Sequence, residues 1–131
     1  KSDDEWKSYM LSSESEKDSV MFCAYDNGHM VGCVSGIWNN RSKVAHVATV
    51  VGMFVYTEKQ NQGIGYKLIT SLLEHLKSKN RFHKAKLDVV STNKSAIKLY
   101  KKVGFVEVGI LHSELFIDDI YYDLVEMERF F

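Results

Sequence analysis

The sequence predicts an α/β domain in which helices pack on a mixed β-sheet, and three observations carry that prediction. The apolar, β-branched run Val47 to Tyr56 passes through a polar segment with two glycines into a helical pattern. There Leu68, Ile69, Leu72, Leu73 and Leu76 recur at spacings of three and four, so they share one helix face. A further strand-like run over Lys84 to Val90 follows. Strand, helix and strand in succession imply a parallel pair joined by a right-handed crossover.

Taken in order, Ser2-Asp3-Asp4-Glu5 fits a capping box, and Trp6, Tyr9 and Met10 then fall on one helical face. Ser12 to Ser19 is polar and reads as a loop. Val20 to Tyr25 and His29 to Trp38 are partner strands across the hairpin signal Asp26-Asn27-Gly28. Lys43 to Tyr56 reads as one long strand, with Gly52 inside it suggesting a bulge. The helix after the glycine turn extends to about Ser78. Asn93 to Val103 is a second helix, ending at Gly104, a suitable residue just past a helix. Phe105 to about Phe116 and Ile120 to Arg129 form a last antiparallel pair across Ile117-Asp118-Asp119.

Composition bounds the function classes. At 131 residues the chain is one domain, residues 1–131, with no repeat or low-complexity segment. Its 45% hydrophobic and 26% charged residues are those of a soluble globular protein. Seventeen basic and seventeen acidic residues cancel, so a nucleic-acid partner lacks its usual electrostatic footprint. No signal peptide and no long apolar span are present, which points to a cytoplasmic protein without a membrane partner. Cys23 and Cys33 fall in neighbouring strands and read as small apolar residues; no metal-ligand spacing occurs.

The segment Gln60-Asn61-Gln62-Gly63-Ile64-Gly65 carries the chemistry. Backbone N–H groups at a helix start lack intrahelical partners, and the helix dipole adds positive charge there. Glycine leaves room for a bulky anion, so the turn reads as a phosphate cradle; a turn that uses glycine only for its own geometry is the alternative. It is not a Walker A loop, because Tyr66-Lys67 stands where Lys-Ser/Thr is needed. It is not the dinucleotide fingerprint, because residue 68 is Leu68.

Beside the later segment, the turn resembles the GNAT superfamily of acyl-CoA-dependent N-acyltransferases. Gln60, Gly63 and Gly65 match the family's Gln/Arg-x-x-Gly-x-Gly/Ala element between a strand and a helix. Asn93, Ala96, Leu99, Tyr100, Gly104 and Phe105 match its Asn-x-x-Ala-x-x-Leu-Tyr-x-x-x-Gly-Phe segment. The resemblance covers about Val20 to Met127. Many members carry a proline just after the strand, where this chain has Thr57. Within Gly109 to Met127, Tyr121-Tyr122-Asp123-Leu124-Val125-Glu126-Met127 is similar to the last strand of phosphinothricin-type, polyamine and ribosomal-protein N-terminal acetyltransferases.

The resemblance implies a GNAT-like mixed, centrally splayed β-sheet with helices on both faces. The family's first strand has no counterpart read here, so the N-terminal strand is expected to be missing and the domain N-terminally incomplete. It implies transfer of an acetyl group from acetyl-CoA to a primary amine of a small molecule or protein N-terminus by direct attack. The alternative is a non-catalytic acyl-CoA-binding regulatory module. A homodimer is compatible with either. The pantetheine would run beside Met53, Phe54 and Val55. The pyrophosphate would sit on the N–H groups of Gln60, Asn61, Gln62, Gly63, Ile64 and Gly65, with Tyr66 and Lys67 in the first helical turn. Asn93 would lie beside the cofactor as well as capping its helix. Tyr100 would protonate the leaving thiolate as general acid. For the base, the family's frequent Glu on the long strand is absent. His46 is the titratable side chain of that stretch, with an ordinary pKa of about 6.5 suited to the task. His112, Glu114 or a water relay are alternatives. Without a strong base, an acceptor of low pKa such as an α-amine is favoured over a lysine side chain.

Overall fold

The computed structural model describes the backbone of residues 7–11 and residues 18–131 in full. Its elements are β1 (Lys7–Leu11), β2 (Ser19–Asp26), β3 (His29–Trp38), β4 (Val47–Val55), α1 (Ile64–Ser78), β5 (Lys84–Val90), α2 (Lys94–Lys102), β6 (Val106–Ile117) and β7 (Ile120–Phe130). The strands form one sheet in the order β1-β2-β3-β4-β5-β7-β6. Its ladders are antiparallel except for β4 beside β5. The predicted crossover through α1 joins that parallel pair.

The hairpins follow from their turn residues. Asn27 and Gly28 both take positive φ, 51° and 80°, as do Asp118 and Asp119, 51° and 64°. Two consecutive left-handed residues match the twist of the flanking strands, which suits Asn-Gly and Asp-rich turns.

Two expectations are corrected. Trp6 to Met10 was expected as the end of a helix, but Lys7–Leu11 is a strand whose residues pair antiparallel with Tyr25 to Met21. Edge pairing with β2 overrides the local helical spacing, and the sheet edge expected to lack a strand carries β1 there. Ser2 to Glu5 lie outside the described residues. The long strand was expected from Lys43, but residues 43–46 turn, with Val44 N–H donating to Arg41 O and Val47 N–H to Val44 O. Among the described residues α1 and α2 pack on one face of the sheet. Ala48 of β4 is in register with Ala85 of β5, and Leu87 and Val89 with Met127 and Val125 of β7. All of these are buried in one cluster with Leu68, Ile69, Leu72 and Leu76 of α1 and with Ile97 and Tyr100 of α2.

This core fixes where the sheet opens. β4 and β5 pair only over Val47 to Thr49 and Lys84 to Lys86. Beyond that the expected bulge appears: Cys33 and Ser35 of β3 pair with Phe54 and Val51 of β4, so three residue steps of β4 oppose two of β3. Gly52, inside that extra step, takes φ +65°, a conformation that favours glycine. The bulge turns β4 away from β5 and leaves an opening between the two strands.

Candidate active site

The turn after β4 is built from local hydrogen bonds. Thr57–Lys59 forms a single 3₁₀ turn, with Lys59 N–H donating to Tyr56 O and Gln60 N–H to Thr57 O. Gln60 Nε2 donates to Val55 O at 3.0 Å, tying the turn to the end of β4. Asn61 and Gly63 take left-handed φ values of 64° and 79°, which reverses the chain into α1. Gln60 N–H is thus engaged, and so is Lys67 N–H, which donates to Gly63 O at 3.1 Å. From Asn61 to Tyr66, no described backbone carbonyl outside the helix accepts an N–H.

The two motif glycines have different physical roles. A Cβ on Gly63 would meet nothing within 4 Å, so glycine there serves the left-handed backbone. A Cβ on Gly65 would lie 3.2 Å from Leu99 Cδ2 and 3.3 Å from Met53 Cε. Gly65 thus lets the start of α1 close against α2 and β4.

A cleft of about 430 Å³ lies over this turn, bordered by Met53, Phe54 and Val55, by Gln60, Asn61, Gly63, Ile64 and Gly65 but not Gln62, and by Asn93, Ser95 and Ala96. Tyr66 also borders it, and its ring lies 4.8 Å from Lys102 Nζ. Asn93 caps α2, its Oδ1 accepting from Ala96 N–H at 3.2 Å and from Ser95 Oγ at 3.2 Å. The cleft meets a second opening of about 270 Å³ between the parted strands. Met53, Asn93 and Ala96 border both.

Tyr100 lines this second opening from α2. It is 6% exposed, and its ring stands edge-on to Phe105 at 5.9 Å. Burial pushes its phenol above the ordinary tyrosine value, so it holds its proton through neutral pH. Asp88 of β5 lines the same opening. Sequence reading did not single out Asp88, because it weighed His46 on the long strand and His112 and Glu114 near the last hairpin. The alternation in β5 offers the signal: Ala85, Leu87 and Val89 are buried, while Lys86 and Asp88 between them are exposed. A carboxylate on that second face, at the strand end that parts from β4, reaches the opening.

The structure brings together the cradle residues, Asn93 and Tyr100, but not His46. His46 lies in the turn before β4, where its carbonyl accepts from His83 N–H at 2.7 Å. His46 borders neither opening; Val50, the first residue of β4 to line the second one, lies four residues on, roughly 13 Å at strand spacing. His112 Nδ1 lies 3.3 Å from Asp123 Oδ2, on the β6–β7 pair. The Ser113 N–H, and then His112, hold the Asp123 carboxyl below its usual range. Neither His112 nor Glu114 borders the two openings. Cys23 and Cys33 face each other across β2 and β3 as buried free thiols, and burial pushes both up. Among the described residues no group of three or more His, Cys, Asp or Glu is placed to hold a metal ion. No helix there is long and apolar enough to cross a membrane.

A mixed sheet parted between two parallel strands, with a helix-start cradle at the parting, defines the class. Residues 1–105 match the acetyltransferase (GNAT) family, and the chain belongs to that family. The chain is 33% identical over 82 residues to a spermidine N(1)-acetyltransferase of Vibrio cholerae, a match covering 63% of this chain and 47% of that protein. It spans about half the length of the curated relatives it matches. Its fold is similar to that of a GNAT-family acetyltransferase from Streptococcus pneumoniae, with a TM-score of 0.85 at 24% identity, over 90% of this chain and 70% of that one. A putative acetyltransferase from Salmonella typhimurium, solved with its cofactor acetyl-CoA, superposes with a TM-score of 0.78 at 19% identity, covering 86% of this chain and 64% of that one.

Proposed function

We propose that the chain transfers an acetyl group from acetyl-CoA to a primary amine of a small molecule or a protein N-terminus. One observation carries the reading. Tyr100 and Asp88 border a single opening, and that opening joins the cleft over the helix-start cradle. In this reading the N–H groups of Asn61 to Tyr66 hold the pyrophosphate of CoA. Each such helix-terminus interaction contributes about 0.3–1 kcal/mol when exposed, so several must act together. Met53, Phe54 and Val55 flank the pantetheine arm, and Asn93 marks where the cleft enters the opening.

Asp88 serves as base and takes the proton from the acceptor ammonium. The freed amine nitrogen bonds to the acetyl carbonyl carbon, and the carbon–sulfur bond breaks. Tyr100 gives its proton to the departing sulfur. Direct attack fits the opening, whose lining among the described residues holds no thiol or serine hydroxyl; Ser95 borders only the adjoining cleft, its Oγ donating to Asn93 Oδ1. The likeness to a spermidine acetyltransferase supports an amine acceptor.

Calorimetric titration tests the cofactor half. The chain is expected to bind acetyl-CoA more tightly than ATP. Gly63→Val, which sets a branched side chain on the left-handed turn, is expected to abolish acetyl-CoA binding while the free variant stays folded. Equal acetyl-CoA affinity in that variant contradicts the cradle assignment.

A further inference from the structure

Asp26 is the one charged side chain buried among the described residues, at 5% exposure. It ends β2 at the Asn27-Gly28 turn. Its Oδ2 accepts a hydrogen bond from Lys59 Nζ at 2.9 Å. Lys59 closes the 3₁₀ turn, directly precedes Gln60 and borders the cleft over the cradle. A side-chain ion pair thus runs from the β2–β3 hairpin to the turn that presents the N–H groups of Asn61 to Tyr66.

Withdrawing a carboxylate from water costs stability unless a partner offsets it. Asp26 lines neither opening and has no part in the transfer chemistry. What it does touch is the lead-in to an irregular segment. Asn61 and Gly63 hold left-handed conformations there, and such a turn keeps one shape only if its surroundings fasten it. Two fastenings lie at its start: Tyr56 N–H to Val31 O, and Gln60 Nε2 to Val55 O, each at 3.0 Å. Neither reaches the hairpin end. The Lys59–Asp26 pair does, and it sits one residue before the Asn61 to Tyr66 segment. Donors aimed in advance bind an anion better than donors that must be ordered on binding.

We propose that Asp26 is a positioning residue for cofactor binding. Through Lys59, its buried carboxylate holds the turn so that the cradle N–H groups converge before the pyrophosphate arrives. The proposal rests on the acetyl-CoA reading above.

The test titrates acetyl-CoA by calorimetry into the wild-type chain, Asp26→Asn, Lys59→Met, the double variant and Lys59→Arg. Asp26→Asn and Lys59→Met are each expected to weaken binding about tenfold, the size of an ordinary coupling between contacting residues. The double variant is expected to bind no more weakly than either single one. Lys59→Arg, which keeps the cationic end, is expected to stay within about threefold of wild type. Unchanged affinity in Asp26→Asn overturns the positioning role and leaves the cradle standing. Losses that add in the double variant also overturn it. A wild-type chain that does not bind acetyl-CoA overturns the cofactor reading itself, and this proposal with it. Should Asp26→Asn not fold, Lys59→Met and Lys59→Arg alone decide, since the Lys59 side chain is 29% exposed.

Discussion

Replacing Tyr100 with phenylalanine separates chemistry from packing. The ring stays edge-on to Phe105, and only the phenol oxygen is lost. Burial raises the pKa of that phenol, and among the described residues no hydrogen bond opposes it. Removing a buried hydroxyl that spends nothing on a partner is expected to change stability by less than about 1 kcal/mol. For a chain of this size that is a shift in Tm of only a few degrees. The rate behaves differently. A positioned general acid typically contributes about 10²- to 10⁴-fold, so turnover is expected to fall at least about tenfold, or about 1.4 kcal/mol in the barrier.

Acetyl-CoA affinity is expected to hold, because the phenol acts on the leaving sulfur. The pH dependence has a definite sign. A tyrosine with a raised pKa stays protonated beyond its ordinary value of about 10, so in the wild type the acid limb is not lost at any pH below that. The same shift adds stability that is fully present below about pH 10 and is lost as pH rises through the raised value. The assay is single-turnover release of free thiol at saturating substrates, beside a calorimetric titration with acetyl-CoA. Unchanged single-turnover rates in Tyr100→Phe would refute the acid role and return Tyr100 to packing.

Other expectations follow from the same geometry. Asp88→Asn is expected to slow turnover by about 10²- to 10⁴-fold at neutral pH, with the deficit shrinking at alkaline pH where the amine loses its own proton; a pH-independent ratio to wild type in the rate profile contradicts it. Asn93→Ala removes the bond to Ala96 N–H and is expected to cost about 1 kcal/mol by chemical denaturation, whereas Asn93→Asp keeps the cap and instead weakens acetyl-CoA binding in calorimetry by placing a carboxylate beside the cleft. Gly63→Ala puts a side chain at φ +79° in open space and is expected to destabilise by about 1–2 kcal/mol without a clash; a Tm equal to wild type means the turn tolerates the strain.

Much of this was legible in the sequence because local signals and tertiary packing agree. The spacing of Leu68, Ile69, Leu72, Leu73 and Leu76 forecasts the buried face of α1, and all five are buried. Gly52 marked the bulge that parts β4 from β5, and Asn93 marked the start of α2. The readings diverge where non-local pairing decides. Trp6, Tyr9 and Met10 carry a helical spacing, yet Lys7 to Leu11 pairs with β2 at the sheet edge. The base shows the same limit. His46 has suitable chemistry, but only the point where β4 leaves β5 tells which end of the strand matters. Asp88, on the neighbouring strand, is visible as lining the opening only once that point is known.

The measurement that bears most directly on the account is release of free thiol from acetyl-CoA by the purified chain, with spermidine, other primary amines or a peptide with a free N-terminus as acceptor. Thiol release that depends on an amine, matched mole for mole by acetylated amine and lost in Asp88→Asn, is the predicted result. Tight binding of acetyl-CoA with no amine-dependent thiol release across that set contradicts it and identifies the chain as an acyl-CoA-binding module.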